Sequence, residues 1–198
     1  MTDAEKLEYE IMLKSQELAA LRQREVDIEV PDYRFETRVG ETSLSALFAG
    51  RDRLLVIHNM GQGCRHCTLW ADGINGVLEH IEDAMAVAFV SKDPPEVQRA
   101  MARDRGWQFT LASHGGGAYM TEQCAFGEES NYPGAAVYER RGSRIVRRAK
   151  TMFGPGDLYS PVWHFLSLAG IGHGDWTPQF SYWRRPERLD DGGADLRE

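Results

Sequence analysis

Cys64 and Cys67 stand three positions apart in Cys64-Arg65-His66-Cys67, two thiols separated by a cation and an imidazole. On the first turn of a helix, thiols at that spacing reach disulfide distance with little strain. The motif follows a buried-looking strand and opens a helical pattern, the setting in which C-x-x-C does redox chemistry. A helix N-terminus supplies unpaired N–H groups and partial positive charge, which favour a thiolate. Arg65 and His66 add to that field. Cys64, at the mouth, is expected to attack, and Cys67, one turn in, to resolve the mixed disulfide. Such a couple uses its own reversible disulfide and no other cofactor. The same residues also fit an inert thiol pair. They fit zinc held by Cys64, His66 and Cys67 less well, because a second ligand pair is missing, and no metal ligand is assigned.

The remaining candidates read more plainly. Cys124 has the character of a buried small hydrophobe. His58 reads as a core histidine rather than a base, and His114 as a loop histidine without a role, with a place lining the site mouth as the alternative. Trp70 and Trp107 suit interior positions. Asp72 either charges a helix start or pairs with an arginine. Gly115-Gly116-Gly117 lacks a following Lys-Ser/Thr and is no phosphate loop.

These groups need elements to hold them. Residues 3–25 have helical spacing, with Leu7, Ile11, Leu18 and Leu21 on one stripe that Lys14 interrupts. That predicts a helix packed on its own domain, with a dimerisation arm as the alternative. Tyr33 to Thr37 alternates like a strand, and Leu44 to Phe48 suggests a short helix. Arg53 to His58 is a strand with a near-continuous apolar run, the pattern of a sheet covered on both faces. Cys67 to Ile81 is helical and Ala84 to Ser91 is a second buried strand. A helix follows Pro94-Pro95 with Asp93 as its N-cap. Phe109 to Ala112, a hairpin around Arg141-Gly142 and a helix from Val162 to Ala169 complete the pattern. The order predicts an α/β chain with a mixed central sheet flanked by helices. Residues 1–30 form an N-terminal helix, 31–172 the domain, and 173–198 an extension with a frayed end. Trp176, Phe180, Tyr182 and Trp183 are too aromatic to stand in water and are expected to pack on the domain or on a second subunit.

The chain has 198 residues, 42% hydrophobic and 27% charged, enough for one core without disulfide staples. Its formal charge of -7 argues against a broad nucleic-acid surface. No apolar run approaches the ~20 residues that span a bilayer. The start, Met1-Thr2-Asp3-Ala4-Glu5, is acidic where a signal peptide is basic and then apolar, so a cytoplasmic protein is expected. Three cysteines in such a chain read as redox, metal or buried thiols, not a structural framework.

Val56 to Cys67 with its helix, and Tyr132-Pro133 before a hairpin, resemble the thioredoxin fold. Tyr33 to Arg51 is similar to the start of peroxiredoxin-like members. Gly50-Arg51, Gly63-Cys64, Cys67, Leu69-Trp70-Ala71-Asp72, Val90-Ser91, Arg105-Gly106-Trp107-Gln108-Phe109 and Asn131-Tyr132 together resemble the bacterial thioredoxin-like family called domain of unknown function 899, over roughly residues 30 to 172. The resemblance implies a thioredoxin-like fold with its site at Cys64 and Cys67, supported by Arg65, His66, Pro133 and His58. It implies that the Tyr132–Pro133 bond is cis and faces the thiols. Departures are Gly63 in place of the tryptophan before the first cysteine, and His58 where thioredoxin has a buried acid. Aligned on Cys67, the peroxiredoxin threonine position holds Cys64. The expected function is thiol–disulfide oxidoreduction on a protein or small thiol or disulfide substrate. A peroxide reductase and a redox-inert interaction module, with or without structural zinc, are the alternatives. Neither nucleic acid nor membrane is an expected partner; a second copy of the chain is an open one.

Overall fold

The computed structural model describes residues 1–24 and 26–182. Its sheet is built outward from β4 (Arg53–Asn59), which pairs parallel with β5 (Ala86–Ser91) and antiparallel with β7 (Gly134–Arg141). Beyond β5 lie β6 (Thr110–Ser113), then β2 (Arg34–Thr37) and β3 (Gly40–Ser43). Beyond β7 lie β8 (Arg144–Met152) and β1 (Ile28–Val30). The eight strands run β1-β8-β7-β4-β5-β6-β2-β3.

Side chains alternate along β4 between two buried layers. Leu54 and Val56 join Phe35, Phe48, Tyr119 and Tyr138 on one face. Ile57 joins Trp70, Phe89, Trp107 and Trp163 on the other. The first layer is closed by α2 (Leu44–Leu47) and α6 (Ala118–Gln123). The second is closed by α3 (Arg65–Asn75), α4 (Leu78–Ala84), α5 (Pro95–Arg105) and α7 (Pro161–Leu168). The central run of β4, Leu54 to Ile57, is therefore apolar because both of its faces are covered.

Several expectations are corrected. The helix expected over Cys67–Ile81 is two helices. The Asn75 side chain turns aside to accept from Gln108 N–H at 2.8 Å, and Val77 leaves helical geometry at ψ 13°. Asp93 does not cap α5, whose N-cap is Pro94 without a side-chain bond. The strand β1, unforeseen, pairs with β8. Helix α1 (Asp3–Arg22) forms, but none of its residues is buried and only Leu18 and Arg22 are half-buried, so most of its stripe is not packed on its own domain. A capping box between Thr2 and Glu5 starts it. Trp176 packs edge-on against Trp163 at 5.9 Å and Phe180 is buried, whereas Tyr182 is exposed. Trp183 lies outside the described residues. Among the described residues no helix is long and apolar enough to cross a membrane.

Candidate thiol site

Strand β4 ends at Asn59, and residues 60–63 carry the chain to α3. Two side chains shape this turn. Asn59 accepts from Gly61 N–H at 2.7 Å, and Asp93, just past β5, accepts from Gln62 N–H at 2.6 Å. Gly61 has φ +124°, and a Cβ there would meet the Asp93 carboxylate at 2.9 Å, so the turn requires glycine. Asn131, itself left-handed at φ 62°, donates to the Met60 carbonyl at 3.0 Å and ties the turn to the segment before β7.

Cys64 is the N-cap of α3. Its sulfur accepts from the Cys67 backbone N–H at 3.1 Å, and its carbonyl accepts from the Thr68 hydroxyl at 3.0 Å. The Cα atoms of Cys64 and Cys67 are 5.3 Å apart and the sulfurs are joined as a disulfide. Cys64 is half-buried and Cys67 is 3% exposed. Cys64 is thus the more accessible of the two cysteines, and Cys67 lies buried behind it. The helix N-terminus directs N–H groups at the outer sulfur, the placement that favours charge there.

His66 and Arg65, between the cysteines, are half-buried. The His66 ring stacks on Trp163 of α7 at 6.1 Å and lies 6.1 Å from Trp70, one helical turn on. Burial first, and the Arg65 charge second, lower the His66 pKa, so the ring is neutral at pH 7. Trp163 was not legible as part of this site. It is an aromatic residue in an apolar helix far along the chain, and only the fold brings it to the motif.

His58 is six positions before Cys64 but faces the other way. It belongs to the layer opposite α3, where its Nε2 is 2.7 Å from the Tyr119 hydroxyl. Burial, then the charges of His114, Lys150 and Arg147, lower its pKa to about 3. It continues into a buried chain in which Tyr138 donates to Tyr119 at 3.1 Å and to Gln123 at 3.2 Å, and Gln123 donates to Tyr33 at 2.8 Å. Burial likewise lowers His114 to about 4, and its Nδ1 accepts from Gly116 N–H at 3.2 Å. Cys124 is buried in the same layer, and burial raises its pKa to about 12.

Pro133 is buried at the edge of β7, beside Gly134, which pairs with His58. The Tyr132–Pro133 bond is trans: the described residues contain no cis peptide. The expected cis turn is replaced by the left-handed Asn131. Tyr132 N–H donates to Cys124 at 2.7 Å and the Pro133 carbonyl accepts from Phe153 N–H at 2.9 Å. Two of the three backbone groups of this dipeptide are therefore engaged within the fold.

Asp72 holds no catalytic position. It pairs with Arg105 and accepts from the Trp107 indole N–H at 2.8 Å, while Arg105 reaches the Phe180 carbonyl at 2.9 Å. The segments Leu69–Asp72 and Arg105–Trp107 are thus one clamp joining α3, α5 and residue 180. Arg51 similarly donates to the carbonyls of Glu82 and Asp83 at the end of α4. Among the described residues no three His, Cys, Asp or Glu side chains are grouped to share a metal ion.

A family model for bacterial proteins of unknown function, DUF899, matches residues 4–189, and the chain belongs to that family. The match is wider than the motifs alone cover. No curated protein matches the chain by sequence. Among solved structures, the reduced Vibrio vulnificus protein Prx3 in complex with hydrogen peroxide aligns with TM-score 0.52 at 11% identity, over 72% of this chain and 94% of its own. A Bacteroides thetaiotaomicron protein provisionally assigned as a protein disulfide isomerase aligns with TM-score 0.50 at 20% identity, over 74% and 86%. A reduced 2-Cys peroxiredoxin from Plasmodium vivax aligns with TM-score 0.50 at 12% identity, over 75% and 97%. The fold is that of thioredoxin, as the resemblance implies.

Proposed function

We propose that this DUF899 protein is a thiol–disulfide oxidoreductase working through Cys64 and Cys67. The observation that carries the reading is the position of Cys64 as N-cap of α3, half-exposed and bridged to a buried Cys67. In the reduced protein the Cys64 thiolate attacks one sulfur of a substrate disulfide and expels the other as a thiolate. The Cys67 thiolate then attacks the Cys64 sulfur, releases the second substrate thiol and closes the Cys64–Cys67 disulfide. Two electrons pass to the substrate, and the two protons that the Cys64 and Cys67 thiols lose on becoming thiolates are taken up, through solvent, by the two substrate thiolates. An external thiol reductant restores the pair. The Cys67 N–H hydrogen bond favours the outer sulfur as thiolate before attack and as leaving group on reduction. Neutral His66, held between Trp70 and Trp163, is the nearest proton carrier along the chain. Pro133 supports the fold behind the site, and the hydrogen bonds already made by Tyr132 N–H and the Pro133 carbonyl leave little backbone there to pair with a substrate strand.

Peroxide reduction has less support, because the position three before Cys67 is itself a disulfide partner. The test is reduction of a model disulfide by the wild type, Cys64→Ser and Cys67→Ser. Loss of turnover in Cys64→Ser and a trapped mixed disulfide in Cys67→Ser are the expected results. Full activity in Cys64→Ser would overturn the assignment. Peroxide consumption without disulfide reduction would move the protein to the peroxidase class.

A further inference from the structure

Helix α1 has 20 residues, a length of about 30 Å. None of them is buried. Leu7, Ile11 and Leu21 are 56%, 51% and 54% exposed, and Tyr9, Met12 and Leu13 are exposed around the rest of its circumference. In proteins most of a helix's stability comes from packing of its apolar side chains, and the i,i+3 ion pairs of α1, Lys6–Asp3 and Lys14–Glu17, are solvent-exposed and contribute little. Such an element needs a cover.

The same chain carries an apolar groove that lacks an occupant among the described residues. It has a volume near 400 Å³ and lies on the α3 face of the sheet. Its floor includes the cross-strand row Leu55–Val137–Ala149, and Val77 and Leu158 stand on its walls, 48% and 52% exposed. Arg22, on the last turn of α1, donates to Tyr159 at the groove rim at 2.8 Å. Leu18 and Arg22, on the last two turns, are half-buried and the rest of the helix is exposed, so the arm is rooted beside the groove with most of its length uncovered.

We propose that the occupant is α1 of a second copy, so that two protomers exchange arms, each lying in the other's groove. A two-fold axis makes one such contact into two. Each arm, about 30 Å by 10 Å, has a footprint near 300 Å², and two footprints counted on both partners remove roughly 1,200 Å². That meets the lower bound of about 1,200 Å² for a stable interface. Charge agrees as well. From Asp3 to Leu21 the arm carries five carboxylates and two lysines, while the groove lining includes Arg22 and Lys150 and no acid.

Light scattering on the full chain tests this, with Ile11→Glu in the arm and Val77→Glu in the groove. The wild type is expected at twice the 22.4 kDa chain mass. Each variant alone is expected to raise the dimer dissociation constant about a hundredfold, since each places a carboxylate in both symmetric contacts. Mixing the two variants restores one intact arm-in-groove contact and should bring back dimer. Circular dichroism and the Cys64/Cys67 thiol titration identify a variant that has failed to fold; Leu7→Glu and Leu158→Glu then replace it. A monomeric wild type overturns the proposal and places the arm within its own chain. A dimer broken by the arm variants but untouched by the groove variants overturns it in favour of arm-to-arm pairing. A dimer insensitive to both overturns it and leaves the groove to a small apolar ligand.

Discussion

Lowering the pH from 7 to 5 should destabilise this protein through His58 and His114. Both are buried, at 4% and 6% exposure, and burial holds their pKa values at about 3 and about 4 in the folded state. In the unfolded chain each returns to about 6.5. The unfolded state therefore binds more protons throughout this window, and stability rises with pH across it. Stability is complete above the unfolded value and is lost as pH falls from about 6.5 toward the folded values. Each group contributes up to roughly 1.4 kcal/mol per pH unit, so the pair removes roughly 4 kcal/mol between pH 7 and 5. His66, also lowered, acts with the same sign. With a urea slope of about 2 kcal/mol/M, the midpoint should drop by about 2 M. Urea unfolding followed by far-UV circular dichroism at the two pH values is the assay. Stopping at pH 5 keeps most carboxylates, with ordinary values near 4, out of the measurement. His58→Gln and His114→Gln should each remove about half of the pH dependence while lowering stability at pH 7. Equal midpoints at pH 7 and 5 in the wild type would refute the reasoning, as would variants that keep the full dependence.

Two further outcomes follow from the packing. In the reduced protein a thiol reagent should titrate half-buried Cys64 quickly and the two buried thiols more slowly, Cys124 only on unfolding, since burial raises it to about 12; three equally fast thiols would contradict the buried placements. Asp72→Ala should cost roughly 1–3 kcal/mol, because the buried Trp107 indole N–H loses its acceptor; a urea midpoint equal to wild type would show that the clamp contributes nothing.

The parts legible in the sequence were those where one local rule decides. The apolar run of β4, the hairpin around Gly142 and the Cys64–Cys67 spacing each follow from periodicity or turn chemistry. What was not legible depends on distant partners. Periodicity predicted α1 but could not say that Leu7, Ile11 and Leu21 of its stripe stay exposed. Strand β1 is three residues long, too short for alternation to show. His58 follows the two-residue period of β4, which turns it away from the motif six positions later. The expected cis bond at Pro133 came from resemblance alone, and Asn131 supplies the turn in another way. Asp72 had two readings until the fold brought Arg105 and Trp107 to it, because the pairing spans 33 and 35 positions.

The central claim is that Cys64 and Cys67 form one working redox couple. Equilibrating the protein with glutathione buffers of graded ratio and counting free thiols measures it most directly. A single two-electron transition is expected, about 30 mV per tenfold change in equilibrium constant, in which two thiols are lost together. Cys64→Ser is expected to abolish the transition. A pair that stays fully reduced or fully oxidised across every accessible buffer, or thiols lost one at a time, would contradict the claim.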